Sequence, residues 1–527
     1  MNLPAFKILI LTEARLRLRR LSTLAAMLGV STLGWWMFAD QSSGYAFVVV
    51  DNALVQNTSS TLALGSVSLF SLILGLAGFF LARGRIAEDV RCGASGVIGA
   101  STVSNASFLF CRWLGGVGYL LVMACVFMLT MMVCHLFRGV GPIQPWVYIK
   151  TYLIILLPVI GFCVSCAVLF DSVAPLMGKL GDVIYVVLWV AQFSAMSKID
   201  DLAFGSTFEP LSILQLLDFS GVAMIVKSLA AQLHTTGVSL GYASFDPKLP
   251  ALTLGDDIWS RSMVLSRLVS AGLASLILFP AFLFFHRYST DKIKVSLTKV
   301  RRSPIAILNH LTRPLTRLAQ PLFRLAGGKG GKAGIVGLAL ADVALTLCSA
   351  PTAILAVMIT FVCAIFFKAA LLPGLLIASI AIWGVIVSDV STRDFFNGCE
   401  QLTGVVAGGV NQRYLRQFGA TFLLGLLFTG TIGLRLLFQH PLQACAMVVG
   451  LLSLSALSSL FGRTARSSRL FLSLFLFWLY VATQVPNSPL IDLVAFNDAE
   501  NVISTSIQLC IALIALISGY CYNRWQR

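Results

Sequence analysis

The stretch Leu9-Ile-Leu-Thr-Glu-Ala-Arg-Leu-Arg-Leu18 decides the fold, because it recurs as Leu338-Ala-Leu-Ala-Asp-Val-Ala-Leu-Thr-Leu347. The leucines and the single carboxylate have the same spacing in both copies, and a long apolar run follows each copy. A second pair of stretches recurs further along, Asp89-Val-Arg-Cys-Gly93 and Asp394-Phe-Phe-Asn-Gly398. Many transporters build a central path from two related halves of one chain. The repeat therefore predicts two related halves and favours the membrane subunit of a transporter.

The composition indicates an integral membrane protein. Hydrophobic residues make up 57% and charged residues 11% of the 527 positions, and the mean hydropathy is +0.88. Soluble domains carry about 25% charged residues. A helix that crosses a bilayer needs about 20 mainly apolar residues. Twelve segments fit this requirement, six in each half: 21–38, 61–81, 113–136, 146–170, 183–196, 263–285, 350–367, 371–387, 418–438, 444–461, 470–485 and 503–521.

Lysine and arginine gather in two places, the first 20 residues and the stretch 288–333. Short basic loops stay on the cytoplasmic side of a membrane. Both places, and the C-terminus, are therefore predicted to be cytoplasmic. The net charge of +16 is interpreted as this topology signal, which argues against a nucleic-acid partner. Contact of the basic residues with membrane lipids is a further expectation.

The predicted fold class is an all-α polytopic membrane protein with about 12 transmembrane helices in two pseudo-symmetric six-helix bundles. An interfacial helix with its apolar side in the headgroup zone precedes each bundle. It carries Glu13, Arg15 and Arg17 in the first half and Asp342 in the second. The predicted divisions are an interfacial helix (1–20), a first half (21–287) with a long outward segment (197–262), a basic cytoplasmic linker (288–333), a second interfacial helix (334–348) and a second half (349–527).

In each half, a polar cytoplasmic loop joins the second and third predicted spans. Each loop is long enough for a short helix across the inner face of the membrane, and an aspartate near its start favours the positive end of the helix dipole. We predict that both loops dock on a partner. The candidate contact residues are Arg85, Glu88, Asp89, Arg91 and Gly93 in the first half and Arg393, Asp394, Gly398 and Glu400 in the second.

The glycine-rich stretch Gly327-Gly-Lys-Gly-Gly-Lys-Ala-Gly334 invites comparison with a phosphate-binding loop. That motif needs G-x-x-x-x-G-K followed by Ser or Thr. Here Lys332 is followed by Ala333, and a flexible hinge is the better interpretation. If transport is driven by ATP, the hydrolysing motor must then be another polypeptide.

The chain resembles the permeases of the type-two (type V) exporter class of the ABC superfamily. The resemblance lies in the interfacial helix, the six spans per half and the polar loop between spans two and three. In that loop Gly93-Ala-Ser-Gly-Val-Ile-Gly-Ala-Ser-Thr-Val-Ser-Asn105 and Arg112-Trp-Leu-Gly115 follow the family's pattern, with Thr102 in place of its proline and Asn105 in place of its basic residue. Gly404-Val-Val-Ala-Gly-Gly-Val-Asn-Gln412 and Arg416-Gln-Phe-Gly419 form a looser match.

The resemblance implies a permease in a bacterial cytoplasmic (inner) membrane that exports an amphipathic substrate, lipid-like, peptidic or drug-like. Two copies of a separate cytoplasmic ABC ATPase would bind the two loops, which the family uses as coupling helices. ATP and Mg²⁺ would lie on the ATPase, so this chain is expected to hold no cofactor or metal and to be no enzyme itself. An accessory subunit on the outward side is a further implied partner.

Two other classes of protein stay open from the sequence. A secondary transporter of the major facilitator type also has two six-span halves and a basic central loop. Its usual G-x-x-x-D-R-x-G-R-R loop and mid-span ionisable groups are not clear in this chain. A membrane-embedded lipid transferase would need paired acidic motifs such as D-D-x-x-D, whereas Asp200-Asp201 and Asp256-Asp257 lack the third acid.

Overall fold

The computed structural model describes residues 3–19, 21–37, 45–91, 93–200, 216–233, 238–255, 259–285, 304–326, 334–405, 409–484, 489 and 491–525. The chain divides into two compact units, Met1–Lys299 and Val300–Arg527. The boundary between them falls within the stretch 288–333 that the sequence assigns to a linker.

The first unit contains eleven helices in the described residues, and a short 3₁₀ turn at Ala174–Leu176. Serine and threonine caps begin several of the long helices, because their side-chain oxygens accept from backbone N–H groups that lack a partner within the helix. Ser104 and Ser260 do so at two of them. The helices are α1 Leu3–Leu18, α2 Leu21–Met37, α3 Ser59–Ala82, α4 Arg85–Arg91, α5 Ala94–Ala100, α6 Asn105–Arg138, α7 Pro145–Ser172, α8 Lys179–Asp200, α9 Val222–Leu233, α10 Arg261–Leu276 and α11 Phe279–Phe284.

A small antiparallel sheet in the order β2-β1-β3 adds to the first unit a feature that the sequence analysis did not contain. Its strands are β1 Tyr45–Val50, β2 Ala53–Leu54 and β3 Val238–Ser244. Val48 pairs with Leu240, so β1, which follows α2, joins a strand of the predicted outward segment 197–262. The moderately apolar stretch 211–231 of that segment forms α9 from Val222 onward, and residues 211–215 lie outside the described part.

The second unit also contains eleven helices in the described residues, with 3₁₀ helices at Arg313–Ala319 and Ala369–Leu371. Proline lies in the first turn of α15, α16 and α20, where its missing N–H costs no hydrogen bond. The helices are α12 Pro304–Leu311, α13 Gln320–Ala326, α14 Ile335–Ser349, α15 Pro351–Phe366, α16 Leu372–Val387, α17 Arg393–Phe396, α18 Glu400–Val405, α19 Gly409–Gln439, α20 Pro441–Ala465, α21 Ser468–Gln484 and α22 Val502–Trp525.

Eight helical segments in the described residues are long and apolar enough to cross a membrane, and α14 with α15 would make a ninth if the two counted as one span. The chain bends by 99° between α14 and α15. The prediction of a helical polytopic membrane protein is confirmed at this level, whereas twelve spans and pseudo-symmetry stay predictions. The eight are Ser59–Ala82, Asn105–Arg138, Pro145–Ser172, Arg261–Phe284, Ala369–Val387, Gln412–Gln439, Pro441–Ala465 and Val502–Trp525.

Each unit is built around its most buried long helices. In the first unit α3 packs along α7, and in the second α20 packs against α19 and α22. A helix also lies at each of the four remaining predicted segments, on α2, α8, α15 and α21. The long helices are mainly apolar. The polar contacts described below therefore lie at helix ends and in the short connections between helices.

Part of the predicted linker is folded onto the second unit. Residues 304–326 form α12, the 3₁₀ helix Arg313–Ala319 and α13, which contact α14 and α15. The Asn309 side-chain oxygen accepts from the backbone N–H of Thr352 at 3.2 Å and from its hydroxyl at 2.8 Å. This stretch is therefore a packed element rather than a solvated connection, and the glycine-rich stretch 327–333 lies outside the described residues.

Candidate functional site

A buried ion cluster joins α1 to the loop that follows α3. Glu13 on α1 accepts from the Arg17 Nε and the Arg85 Nε, each at 3.0 Å. Arg17 also donates to the backbone carbonyl of Ala82 at 2.9 Å. Glu13, Arg17 and Arg85 are all nearly inaccessible to solvent. The cluster therefore fastens α1 to the end of α3 and to the start of α4.

The electrostatic surroundings keep Glu13 ionised. Burial on its own raises the pKa of a carboxyl group, because it disfavours the charged form. The positive charges of Arg17, Arg112 and Arg85 outweigh burial and hold the pKa of Glu13 below its usual value of 4.5. The same pairing raises the pKa of Arg85 against the effect of its own burial. The charged state of each group in this cluster depends on the others, and Glu13 is the carboxylate that both Arg17 and Arg85 contact.

A second ion pair joins the same loop to the start of α6. Asp89 on α4 accepts from Arg112 on α6, and both side chains are buried. The Arg112 guanidinium also lies over the Phe108 ring, 4.7 Å from its centroid. One helical turn further, a Cβ at Gly115 would lie 2.7 Å from the Glu13 Cγ. Only glycine therefore allows α6 to approach α1 at this point.

The second unit brings the corresponding residues together. The Arg416 Nε on α19 lies 3.1 Å from Asp342 on α14, and its Nη2 lies 3.5 Å from Asp394 on α17. Gly419, one turn beyond Arg416, faces α14, where an added Cβ would lie 3.1 Å from the Ala339 Cβ. The loop also reaches α14 through Arg393, which donates to the Thr346 hydroxyl at 2.8 Å.

Residues of both repeats therefore take part in ion pairs within their own unit. In the first unit Glu13 of α1 pairs with Arg85 and Asp89 pairs with Arg112 of α6. In the second unit Arg416 of α19 lies near both Asp342 of α14 and Asp394 of α17. The matched sets are Glu13, Asp89, Arg112 and Gly115 in the first unit and Asp342, Asp394, Arg416 and Gly419 in the second. Arg112 and Arg416 begin the stretches 112–115 and 416–419 that resemble the exporter family's pattern, but they were not predicted as site residues. Their signal is an arginine 22 or 23 residues after the loop aspartate, with glycine three positions further.

Each loop has a further tie to a neighbouring helix end, with the charges reversed between the units. In the first unit Arg83 pairs with Asp171 at the end of α7, at 3.5 Å, and with Asp182 at the start of α8. In the second unit Glu400 of α18 pairs with Arg463 near the end of α20 and with Arg413 of α19. Hydrogen bonding to Arg463 overcomes burial and lowers the pKa of Glu400.

The remaining predicted site residues divide into internal and exposed groups. Glu88 pairs with Arg85 at 2.7 Å. Arg15 is exposed on α1, and the side chain of Arg91 lies outside the described part. Gly93 and Gly398 are exposed and have φ values of 74° and 67°, a region that only glycine adopts without strain, so the D-x-x-x-G repeat encodes the same backbone turn in both loops.

The loops present apolar side chains to solvent, and their carboxylates point inward. Val97 on α5 is 76% exposed, and Leu402 and Val405 on α18 are 72% and 88% exposed. We call these three residues the loop tips. Asp89 and Asp394 are instead engaged with Arg112 and Arg416. A partner that meets these loops therefore contacts the apolar loop tips, while the aspartates position the loops from within.

Glu13 and Asp342 predict opposite effects of pH on stability. The pKa of Asp342 is raised because burial outweighs the charges of Arg416 and Arg393, whereas that of Glu13 is lowered. The stabilisation from ionised Glu13 is full above pH 4.5 and is lost as pH falls through its lowered pKa. The stabilisation from neutral Asp342 is full below pH 3.8 and is lost as pH rises through its raised pKa. Near pH 7 we expect Glu13→Gln to be less stable than wild type and Asp342→Asn at least as stable.

Thermal unfolding of both variants and wild type in one detergent, from pH 4 to pH 8, checks this expectation. The Asp342→Asn difference from wild type should shrink on acidification across this range. The Glu13→Gln difference should stay nearly constant down to pH 4.5 and shrink only below it. A large destabilisation by Asp342→Asn at pH 7 would contradict the assigned direction.

The clusters join the ends of neighbouring helices within each unit. They consist of carboxylate–guanidinium ion pairs. The described residues contain no group of three His, Cys, Asp or Glu placed to hold a metal ion. Comparison of the chain with protein-family models, with curated proteins and with solved structures finds no match.

Proposed function

We propose that this chain is the membrane permease subunit of an ABC exporter, which provides the path for an amphipathic substrate and is driven by a separate cytoplasmic ATPase. One observation carries the proposal. In each unit, the loop between two long apolar helices is fastened by ion pairs to the interfacial helix and to the following span. These fastenings would allow a force on the loop to reach both neighbouring elements.

The geometry supports a lever at each loop. The apolar loop tips are free to enter a groove of the ATPase, and burial of each valine or leucine would contribute about 1.5–3 kcal/mol to association. A push on α5 is transmitted through α4 to α1 by Arg85 and Glu13 and to α6 by Asp89 and Arg112. A push on α18 reaches α14 and α19 through Asp394 and Arg416. In the proposal, ATP and Mg²⁺ are bound by the partner alone.

Affinity purification of the full chain in mild detergent tests the proposal most directly. We expect a separate ATPase to copurify in a two-to-one ratio with this chain, and its ATP hydrolysis to be stimulated by it. Transport by the purified chain in vesicles, driven by an ion gradient without any nucleotide-hydrolysing partner, would contradict the proposal and favour the major facilitator class.

Substitutions in the loops separate docking from transmission. Val97→Asp together with Leu402→Asp should weaken ATPase association by at least about tenfold, because the burial of two apolar side chains is lost. Asp89→Ala together with Asp394→Ala should leave association within a few-fold of wild type and reduce the stimulation of ATP hydrolysis. Glu88→Ala, which removes a half-exposed partner of Arg85, should have the smallest effect on either quantity.

Association is measured by surface binding of the ATPase to the chain in nanodiscs, and stimulation by phosphate release. Leu249→Asp is the matched control, because Leu249 is an exposed leucine in the outward segment. Equal loss of ATPase binding in this control, or unchanged binding in the loop-tip variant, would exclude the loop tips as the docking surface.

A further inference from the structure

A seven-residue repeat runs through the folded part of the predicted linker. The sequence His310-Leu-Thr-Arg-Pro-Leu-Thr316 is followed by Arg317-Leu-Ala-Gln-Pro-Leu-Phe323 and then by Arg324-Leu-Ala326. Each copy has a basic residue first, leucine second, and threonine or alanine third. The two complete copies also share proline at the fifth position and leucine at the sixth. Such a period predicts that equivalent residues lie on one side of the element.

The structure sorts these positions into a buried and an exposed face. The third position of every copy is buried, at Thr312, Ala319 and Ala326. The leucines at the sixth position, Leu315 and Leu322, pack against the hydrophobic core of the second unit. This face is therefore already occupied by α14 and α15, and the segment has a fixed orientation on the unit.

The second position of each copy forms an exposed row of leucines. Leu311, Leu318 and Leu325 are 70%, 57% and 68% exposed. Arg313, Arg317 and Arg324 are exposed beside them. No Asp or Glu occurs between Asp291 and Asp342, so nothing acidic in the chain sequence near the row offsets these charges. We call the three leucines and three arginines the basic leucine row.

We propose that the basic leucine row lies on the cytoplasmic surface of the membrane and binds anionic phospholipid headgroups. An apolar stripe flanked by arginine is the chemistry of helices that lie in the membrane interface. The leucines enter the boundary between headgroups and acyl chains, and the guanidinium groups bond the phosphates. The positive charge of the three arginines selects a negatively charged surface. The row also belongs to the element that supports α14, so lipid binding there holds the second interfacial helix against the bilayer. This inference does not depend on the ATPase.

Hydrogen exchange of the full chain in nanodiscs tests the proposal. The protein is placed in discs of phosphatidylcholine alone and in discs that also contain phosphatidylglycerol, and exchange is followed for peptides that cover residues 304–326. Each arginine near an anionic surface contributes about fivefold to binding, so three contribute on the order of a hundredfold at low ionic strength. We expect slower exchange in the anionic discs, and a smaller difference between the discs at high salt.

Two variants separate the charged and apolar parts of the row. Arg313→Gln, Arg317→Gln and Arg324→Gln together should abolish the difference between the two kinds of disc. Leu311→Gln, Leu318→Gln and Leu325→Gln together should speed exchange in both. The matched control is Lys248→Gln, Arg261→Gln and Lys368→Gln, three exposed cations away from the segment, which should leave the difference intact.

Three results would overturn the proposal. The first is equal exchange of wild type in neutral and anionic discs. The second is loss of the lipid-dependent difference in the control variant. The third is protection that arises only when the ATPase is added, which would assign the row to a protein partner. All variants change exposed side chains, and an unchanged melting temperature in detergent verifies that each one folds.

Discussion

Glu13→Gln should destabilise the first unit by about 3–5 kcal/mol at neutral pH, the cost typical of removing one partner from a buried ion pair. Glutamine keeps the size of the side chain and its ability to accept hydrogen bonds, so the change isolates the charge. Arg17 and Arg85 are both buried and both bonded to this carboxylate. Without it, two guanidinium groups face each other in a site with little access to water. The free energy of unfolding, from denaturant titration in detergent, should fall accordingly.

Glu88→Gln is the matched control for this prediction. Glu88 pairs with the same Arg85, but nearly a third of its side chain is exposed, and Arg85 keeps Glu13 after the change. Half-exposed pairs of this kind contribute about 0–1 kcal/mol. The double variant Glu13→Gln with Arg17→Gln should be more stable than the sum of the single changes predicts, because it removes one of the unpaired charges. Equal effects of Glu13→Gln and Glu88→Gln would refute the central place of Glu13.

The sequence predicted the helical membrane fold and the carboxylates of the clusters because both depend on local patterns. Apolar runs identify spans by length, and the repeat identifies positions such as Asp89 and Asp394 by their spacing from a glycine. Their arginine partners lie beyond the loop, at the start of the next span. In a sequence, such arginines are indistinguishable from the basic residues that set membrane orientation. Only the packing of α6 and α19 reveals that Arg112 and Arg416 point into the clusters.

Contacts between distant segments account for most of what the sequence did not predict. The strands β1 and β3 pair although Val48 and Leu240 are 192 positions apart in the chain, a separation that no local pattern reveals. The linker was judged by its charge, which dominates the stretch 288–333. The seven-residue repeat places small residues at regular intervals, and these residues are buried in the structure. This regularity indicates packing, but it is less conspicuous than the positive charge of the stretch. A period of seven in a stretch assigned to solvent is the pattern that could have predicted its packing.

The partners of charged residues within the predicted spans also cannot be identified from the sequence. Arg435 lies within the predicted span 418–438, and its Nη1 donates to the Phe367 carbonyl at the end of α15, at 2.8 Å. Arg267 on α10 was not singled out, yet it is almost completely buried. It donates to the carbonyls of Asp218, Phe219 and Ile155. Backbone carbonyls have no signature in sequence, so an arginine that they satisfy is recognised only from the fold.

The reversed ion pair at Arg83 gives the second large prediction. Its side chain is fully buried between Asp171 and Asp182, with the Phe79 ring 5.1 Å away. Arg83→Met fills most of the same volume but leaves two buried carboxylates without this cation. The expected loss is about 3–5 kcal/mol in the free energy of unfolding. Arg15→Met, on the exposed side of α1, is the matched control and should change stability by less than about 0.5 kcal/mol.

The two carboxylates around Arg83 should differ in their ability to rescue the variant. Asp171 keeps the backbone N–H groups of Gly84 and Arg85, at 2.7 and 3.1 Å, when Arg83 is removed. Its charge therefore remains partly satisfied, whereas Asp182 loses the ionic partner that joins it to the loop. Asp182→Asn in the Arg83→Met background should recover more stability than Asp171→Asn, which removes an acceptor for those N–H groups. If Asp182→Asn recovers more stability, the ion pair between Arg83 and Asp182 provides the stabilisation. If Asp171→Asn recovers more, the stabilisation comes from the end of α7 alone.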